Sequence, residues 1–422
     1  MSATGSGSAG RRLLAVVGAV VGVVAVLAAL VVVPRSLPFG SGNRLVGGPG
    51  VAAPVPGGDS PQARLAAVQK VLAARGTAVR RDDAKAWART QTAKAKAPVF
   101  SRLAVLPVVR WSYATSTPTT STASLVVVPV KLSTRFAGET ADATWLETVT
   151  LRRTGGRWLV VSEVSRGDRA ALWELGTLRV VRGARSLVIG IDAPVSTLRQ
   201  YAATADRVVP QVSAVWGKAW SRYAVVIVPR TVGQLARALG RTTKSLDGYA
   251  AVTTAEGGVV GGAHVAQRVW MNTPAMAGLS SLGRQVVLRH EMTHVATYAP
   301  EHPDAPLWIV EGVAEWMGYR GSGIPLAVAT GDLLDDVRAG RAGTPFPDDA
   351  TFSGAQVDVA YESSHLSCAL VVEKYGARAL VALYRKVAIE GQDVATAFES
   401  VTGDPLSSLT KDWRARARSL AS

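Results

Sequence analysis

Residues 286–316 read VVLRHEMTHVATYAPEHPDAPLWIVEGVAEW and hold three of the chain's five histidines. The stretch opens inside an apolar, helical run, GRQVVLRHEMTHVATYA (283–299). It then crosses a loop bearing Pro300, Pro303 and Pro306, and re-enters a helix at LWIVEGVAEWMG (307–318). His290 and His294 are four residues apart, so on a helix both imidazoles lie on one face, a turn apart, where they can share one ion. Glu311 and Glu315 repeat that spacing in the second helix. Histidine on the buried face of a helix is costly without a partner, which weighs against a chance occurrence.

A catalytic zinc site uses three protein ligands and keeps one position for water. His290, His294 and Glu311 make such a set. His302, Asp304 and Glu315 are the other candidates for the third place. Glu315 has a second possible role, orienting a ligating histidine through its other ring nitrogen. Glu291, next to the first histidine, points toward the place of a zinc-bound water and can take its proton. The longer pattern with a third histidine requires glycine at position 297 and histidine at position 300; the chain has Thr297 and Pro300.

Around this segment, 422 residues leave room for two domains and extensions. Hydrophobic residues make up 48% and charged residues 18%, a globular composition. The formal charge of +16 comes without a zinc-finger, RNA-recognition or phosphate-loop pattern, so no nucleic-acid partner is expected. Cys368 is the single cysteine, which excludes an intramolecular disulfide; its setting, SCALVV, is that of a buried helix face.

Residues 1–12 read as a short cytoplasmic segment. LLAVVGAVVGVVAVLAALVVV (13–33), preceded by Arg11 and Arg12, reads as an uncleaved transmembrane signal anchor, with a flexible Gly/Pro/Ser-rich linker over 34–60. A cell-membrane, single-pass protein is therefore expected, its domains facing away from the cytoplasm. Residues 61–180 read as an α+β accessory domain: a helix broken at RRDD (80–83), then strands ending in a hairpin turned by Gly155 and Gly156. Helices followed by a curled antiparallel sheet, the arrangement expected here, resemble the cone-shaped domains related to nuclear transport factor. Residues 187–422 read as a second α+β domain, with a β-sheet followed by helices beginning near Leu279, Pro306 and Ser363.

The central segment resembles the gluzincin metallopeptidases, in particular the bacterial "peptidase MA-like" group. The matching residues are His290, Glu291, Met292, Thr293 and His294, then Pro306, Trp308, Glu311, Gly312, Ala314 and Glu315. AYESSHLSCALVVEKYG (360–376) matches a later helix of the same pattern. The resemblance implies zinc on His290, His294 and Glu311, with Glu291 as general base. It also implies a tyrosine or histidine steadying the oxyanion, for which Tyr361 is nominated and His365 is the alternative. HVAQRVWMNTP (264–274) falls where such folds place an edge strand able to pair with an extended peptide. The function this implies is a membrane-anchored zinc metallopeptidase acting on a peptide or protein. A non-enzymatic surface binding protein on a peptidase-like scaffold is the rival reading.

Overall fold

The computed structural model describes residues 60–257, 264–341 and 343–422. The expected anchor at 13–33 lies outside these residues. Among the described residues no helix is long and apolar enough to cross a membrane. The two longest, 61–80 and 195–216, carry Arg64, Lys70, Arg75 and Arg80, and Arg199, Asp206 and Arg207 respectively. The expectation of a single-pass membrane protein with a transmembrane helix is corrected accordingly and is not carried further.

The chain divides into two compact units. Among the described residues the first unit takes 60–174 with 256, 257 and 264–266, and the second takes 175–255 and 267–422. In the first unit, helix α1 (Pro61–Arg80) starts where the Ser60 hydroxyl accepts a hydrogen bond from the Ala63 amide at 3.1 Å. Its strands are β1 (Gln91–Lys96), β2 (Val108–Thr115), β3 (Thr120–Ser121), β4 (Leu125–Phe136), β5 (Ala143–Thr154) and β6 (Arg157–Ser165). They form one sheet in the order β1-β6-β5-β4-β2, with β3 beside β4. Gly155 and Gly156, both at positive φ, turn β5 into β6. Val126, Val128 and Val130 alternate along β4 and pack against Val68 and Leu72 of α1. The sheet is not wholly antiparallel as expected, because β1 joins β6 in parallel.

The second unit also departs from expectation. Its strands are β7 (Leu178–Arg182), β8 (Ser186–Ile191), β9 (Ala224–Pro229), β10 (Ala251–Ala255) and β11 (Gln267–Met271), ordered β10-β11-β9-β8-β7. β8, β9 and β11 run parallel, and α2 (Val195–Trp216) provides the crossover from β8 to β9. The unit is therefore mixed α/β, and the α+β assignment is corrected. SLVIGI and AVVIVP are continuous apolar runs of six buried residues, as parallel strands covered on both faces require. α2 begins at Val195, with Pro194 in extended conformation at its N-cap. α3 (Val232–Leu239) opens with a Thr231–Gln234 capping box and stops at Gly240 in the left-handed region.

The longer helices that follow are α4 (Ser281–Thr297), α5 (Leu307–Tyr319), α6 (Gly331–Arg338), α7 (Val357–Tyr375), α8 (Ala377–Tyr384), α9 (Val394–Thr402) and α10 (Leu406–Ala421). α4 is capped by the Ser280 hydroxyl, which accepts from the Gly283 amide at 3.0 Å. From Val286 onward every residue of α4 is buried, and α5 is buried from Trp308 to its end. Helices buried on all sides lie inside a domain, and these two belong to its interior, with α4 carrying buried polar residues there. α7 packs against α5 at Gly312, where a Cβ would stand 2.6 Å from the Ser364 carbonyl oxygen and 2.9 Å from the Cys368 sulfur. Glycine at that position lets the two backbones approach.

Candidate metal centre

α4 and α5 bring their polar residues together in this dry interior. His290, Glu291 and Glu311 are each 0% exposed, and His294 is 1% exposed. His290 Nε2 and His294 Nε2 face one another at 3.0 Å, and Glu311 Oε2 lies 3.3 Å from the first and 3.5 Å from the second. One ligand atom from each of the three falls within 4.8 Å of the others.

Among the described residues neither oxygen of Glu311 has a hydrogen-bond partner, nor has His294 Nδ1. A buried carboxylate without partners beside two imidazole nitrogens at contact distance is unstable unless a positive charge lies between them. The electrostatics agree. Burial alone would lower the His290 pKa, but the Glu311 and Glu315 carboxylates outweigh it and raise the group to about 10. Burial alone would raise Glu311, yet the two histidines hold its carboxyl below the ordinary range. The donor set, two imidazoles and one carboxylate, suits zinc.

The surrounding residues have distinct places. Glu315, one turn after Glu311, puts Oε1 3.1 Å from His290 Nδ1, an ion-pair distance without hydrogen-bond alignment. Glu291 is fixed from the sheet: Thr253 Oγ1 of β10 lies 2.6 Å from Glu291 Oε2 and 3.2 Å from its main-chain oxygen. The other carboxylate oxygen, Oε1, has no hydrogen-bond partner among the described residues. Burial pushes the Glu291 pKa up, against the opposing pull of the two histidines and Thr253.

Tyr361 and His365 lie on α7 but have different surroundings. The Tyr361 ring is 6.5 Å from that of His290 and lines a cavity of about 240 Å³ that also reaches Glu315. His365 is not among the residues lining that cavity. It stacks on Tyr319 at 5.1 Å and is held neutral by burial, its pKa lowered to about 4. His302 is half-buried and Asp304 exposed in the turn before α5, and neither belongs to the triad. His264 is exposed and precedes β11 without belonging to a strand.

Sequence reading gave GYAAVTT as a strand but missed the role of Thr253. The edge strand on this side of the sheet is β10, not the 264–274 segment, and all five residues of β10 are buried. The alternation GYAAVTT carried a strand signal but no sign that its second-last residue would meet Glu291, 38 positions away.

No protein-family model matches the chain, and no curated protein is significantly similar to it. Among solved structures, one match is Rv3472, a function-unknown protein from Mycobacterium tuberculosis. It has 15% sequence identity, a TM-score of 0.21, and an alignment covering 34% of this chain and 89% of that one.

Proposed function

We propose that the chain is a zinc-dependent metallopeptidase of the gluzincin type, hydrolysing a peptide bond of a peptide or protein. The single observation that carries the reading is the triad of His290, His294 and Glu311. It is buried, drawn together within 4.8 Å, and lacks hydrogen-bond partners on the Glu311 carboxylate. Those three residues would hold the ion, which supplies Lewis acidity when bound, acidifying a water and polarising a carbonyl.

The other roles follow from position. Glu291 is the general base: its Oε1 is available to a water, and burial raises its affinity for a proton above that of an ordinary carboxylate. Thr253 donates to Glu291 Oε2 and keeps the free oxygen turned toward the site. Glu315 orients the His290 ring through Nδ1. Tyr361, on the cavity wall, is the donor for the developing oxyanion. His365, stacked on Tyr319 and outside the cavity lining, is less well placed for that role.

The test is zinc content and hydrolysis of a mixed peptide pool by the full chain, beside its His294→Ala and Glu291→Gln variants. About one zinc per chain is expected, lost in His294→Ala and kept in Glu291→Gln, with hydrolysis absent from both. No zinc in folded protein after reconstitution would overturn the metal centre. Full hydrolysis by Glu291→Gln would overturn the mechanism.

A further inference from the structure

The cavity of about 240 Å³ beside the triad has a one-sided chemistry. Four carboxyl groups line it, from Asp247, Glu315, Asp358 and Glu362, and neither lysine nor arginine is among its described lining residues. This contrasts with the chain as a whole, which carries +16. Glu362 is the most buried of the four: it is 3% exposed, Oε2 accepts the Leu333 amide at 2.7 Å, and Oε1 has no hydrogen-bond partner among the described residues. An unsatisfied carboxyl oxygen at the wall of a cavity is a place for a donor. Asp247 is exposed and Asp358 half-buried, so acidic groups run from the mouth inward.

The remaining walls fit the same occupant. Tyr249, Tyr319 and Tyr361 supply ring surface, against which the methylene stem of a long cationic side chain packs while its head keeps polar partners. Aromatic faces also attract ammonium and guanidinium groups. The volume lies below the roughly 300–1,000 Å³ of sites that take a whole small molecule, a size for one side chain. The cavity shares Glu315 and Tyr361 with the surroundings of His290, so its occupant neighbours the triad. Burial, together with the nearby carboxylates of Asp332, Asp358 and Glu315, raises the Glu362 pKa to about 9, a crowding that a cation relieves.

We propose that this cavity is a substrate-selecting pocket for an organic cation of the peptide, a lysine or arginine side chain or an N-terminal ammonium. The inference rests on the peptidase reading for what delivers the cation, but the pocket's affinity is measurable without turnover. Agmatine, a free guanidinium on a short chain, is titrated by calorimetry into the full-length Glu291→Gln protein. Binding is expected, weakened at least tenfold by adding Glu362→Gln and also by adding Asp358→Asn. Each keeps a side chain of the same shape.

In parallel, the wild-type chain is given three peptides. One is N-acetylated with a single arginine, one is the same with citrulline, and one has a free N-terminus and no basic side chain. A preference of at least tenfold in kcat/KM for arginine over citrulline supports the pocket and assigns it to a side chain. A comparable preference for the free N-terminus supports it and assigns it to the terminal ammonium. Equal rates on all three, or agmatine binding that neither carboxyl variant weakens, would overturn it. If no peptide is cleaved, the peptidase reading fails and the agmatine titration still decides the pocket.

Discussion

At position 291 a carboxylate is held from one side only, by Thr253, and its second oxygen is unpartnered in a dry site. Replacing Glu291 by glutamine keeps the shape and removes the carboxylate proposed as the base. Hydrolysis is expected to fall by about 10²–10⁴-fold with zinc retained, read from turnover and metal content on the same sample. Thr253→Val removes the donor and leaves a buried carboxylate oxygen unsatisfied, a loss of about 1–3 kcal/mol. A fall of tenfold or more in kcat/KM without loss of zinc is the expected result. An unchanged kcat/KM would mean that the threonine contact does not orient the base. Glu315→Ala acts through the metal instead, with zinc affinity expected to drop roughly 10–100-fold in chelator competition.

Between elements, the decisive contact is that of α5 with α7 at Gly312. A methyl group there would stand 2.6 Å from a backbone oxygen, which cannot rotate away as a side chain would. Gly312→Ala gains about 1 kcal/mol of helix propensity, but the forced separation of the helices costs about 1–3 kcal/mol. Net destabilisation is expected in urea denaturation, with zinc affinity falling too, because α5 carries Glu311 and Glu315. The sheet teaches a different point. SLVIGI, AVVIVP and the helix α2 between them were all legible, but reading strands first and helices last obscured that α2 is a crossover joining parallel strands. Their uninterrupted apolar character marked parallel strands covered on both faces.

For the whole chain, stability should depend on pH through groups buried far from water. Burial raises the Glu362 pKa from 4.5 to about 9, so between those values the native protein binds more protons than the unfolded chain. Stability from this group therefore falls as pH rises through that window. His365 works oppositely, lowered by burial from 6.5 to about 4, so its contribution rises with pH between those values. The net loss should concentrate between about pH 6.5 and 9, at no more than about 1.4 kcal/mol per pH unit. Denaturation of the zinc-loaded chain and of Glu362→Gln across this range checks it. The stability difference between the two must grow with pH; a constant difference would place Glu362 in the ordinary carboxylate range. Zinc should itself stabilise the fold, by about 2.7 kcal/mol at a hundredfold excess over Kd. Chelation should accordingly lower Tm in the wild type and leave His294→Ala unmoved.

By itself the sequence determined that His290 with His294, and Glu311 with Glu315, share one helix face each, because an i, i+4 spacing is a property of a single helix. It also determined the hairpin at Gly155–Gly156 and the stop at Gly240, where local backbone conformation leaves few alternatives. Only the tertiary structure decided which partners those residues meet. Thr253 reaches Glu291 from a strand 38 positions earlier, Tyr361 and His365 separate into cavity wall and stacked core, and Glu362 closes a pocket that no motif announces. Spacing along one element is written in the chain; contact between elements is set by how their buried faces pack, and that packing is a property of the whole unit.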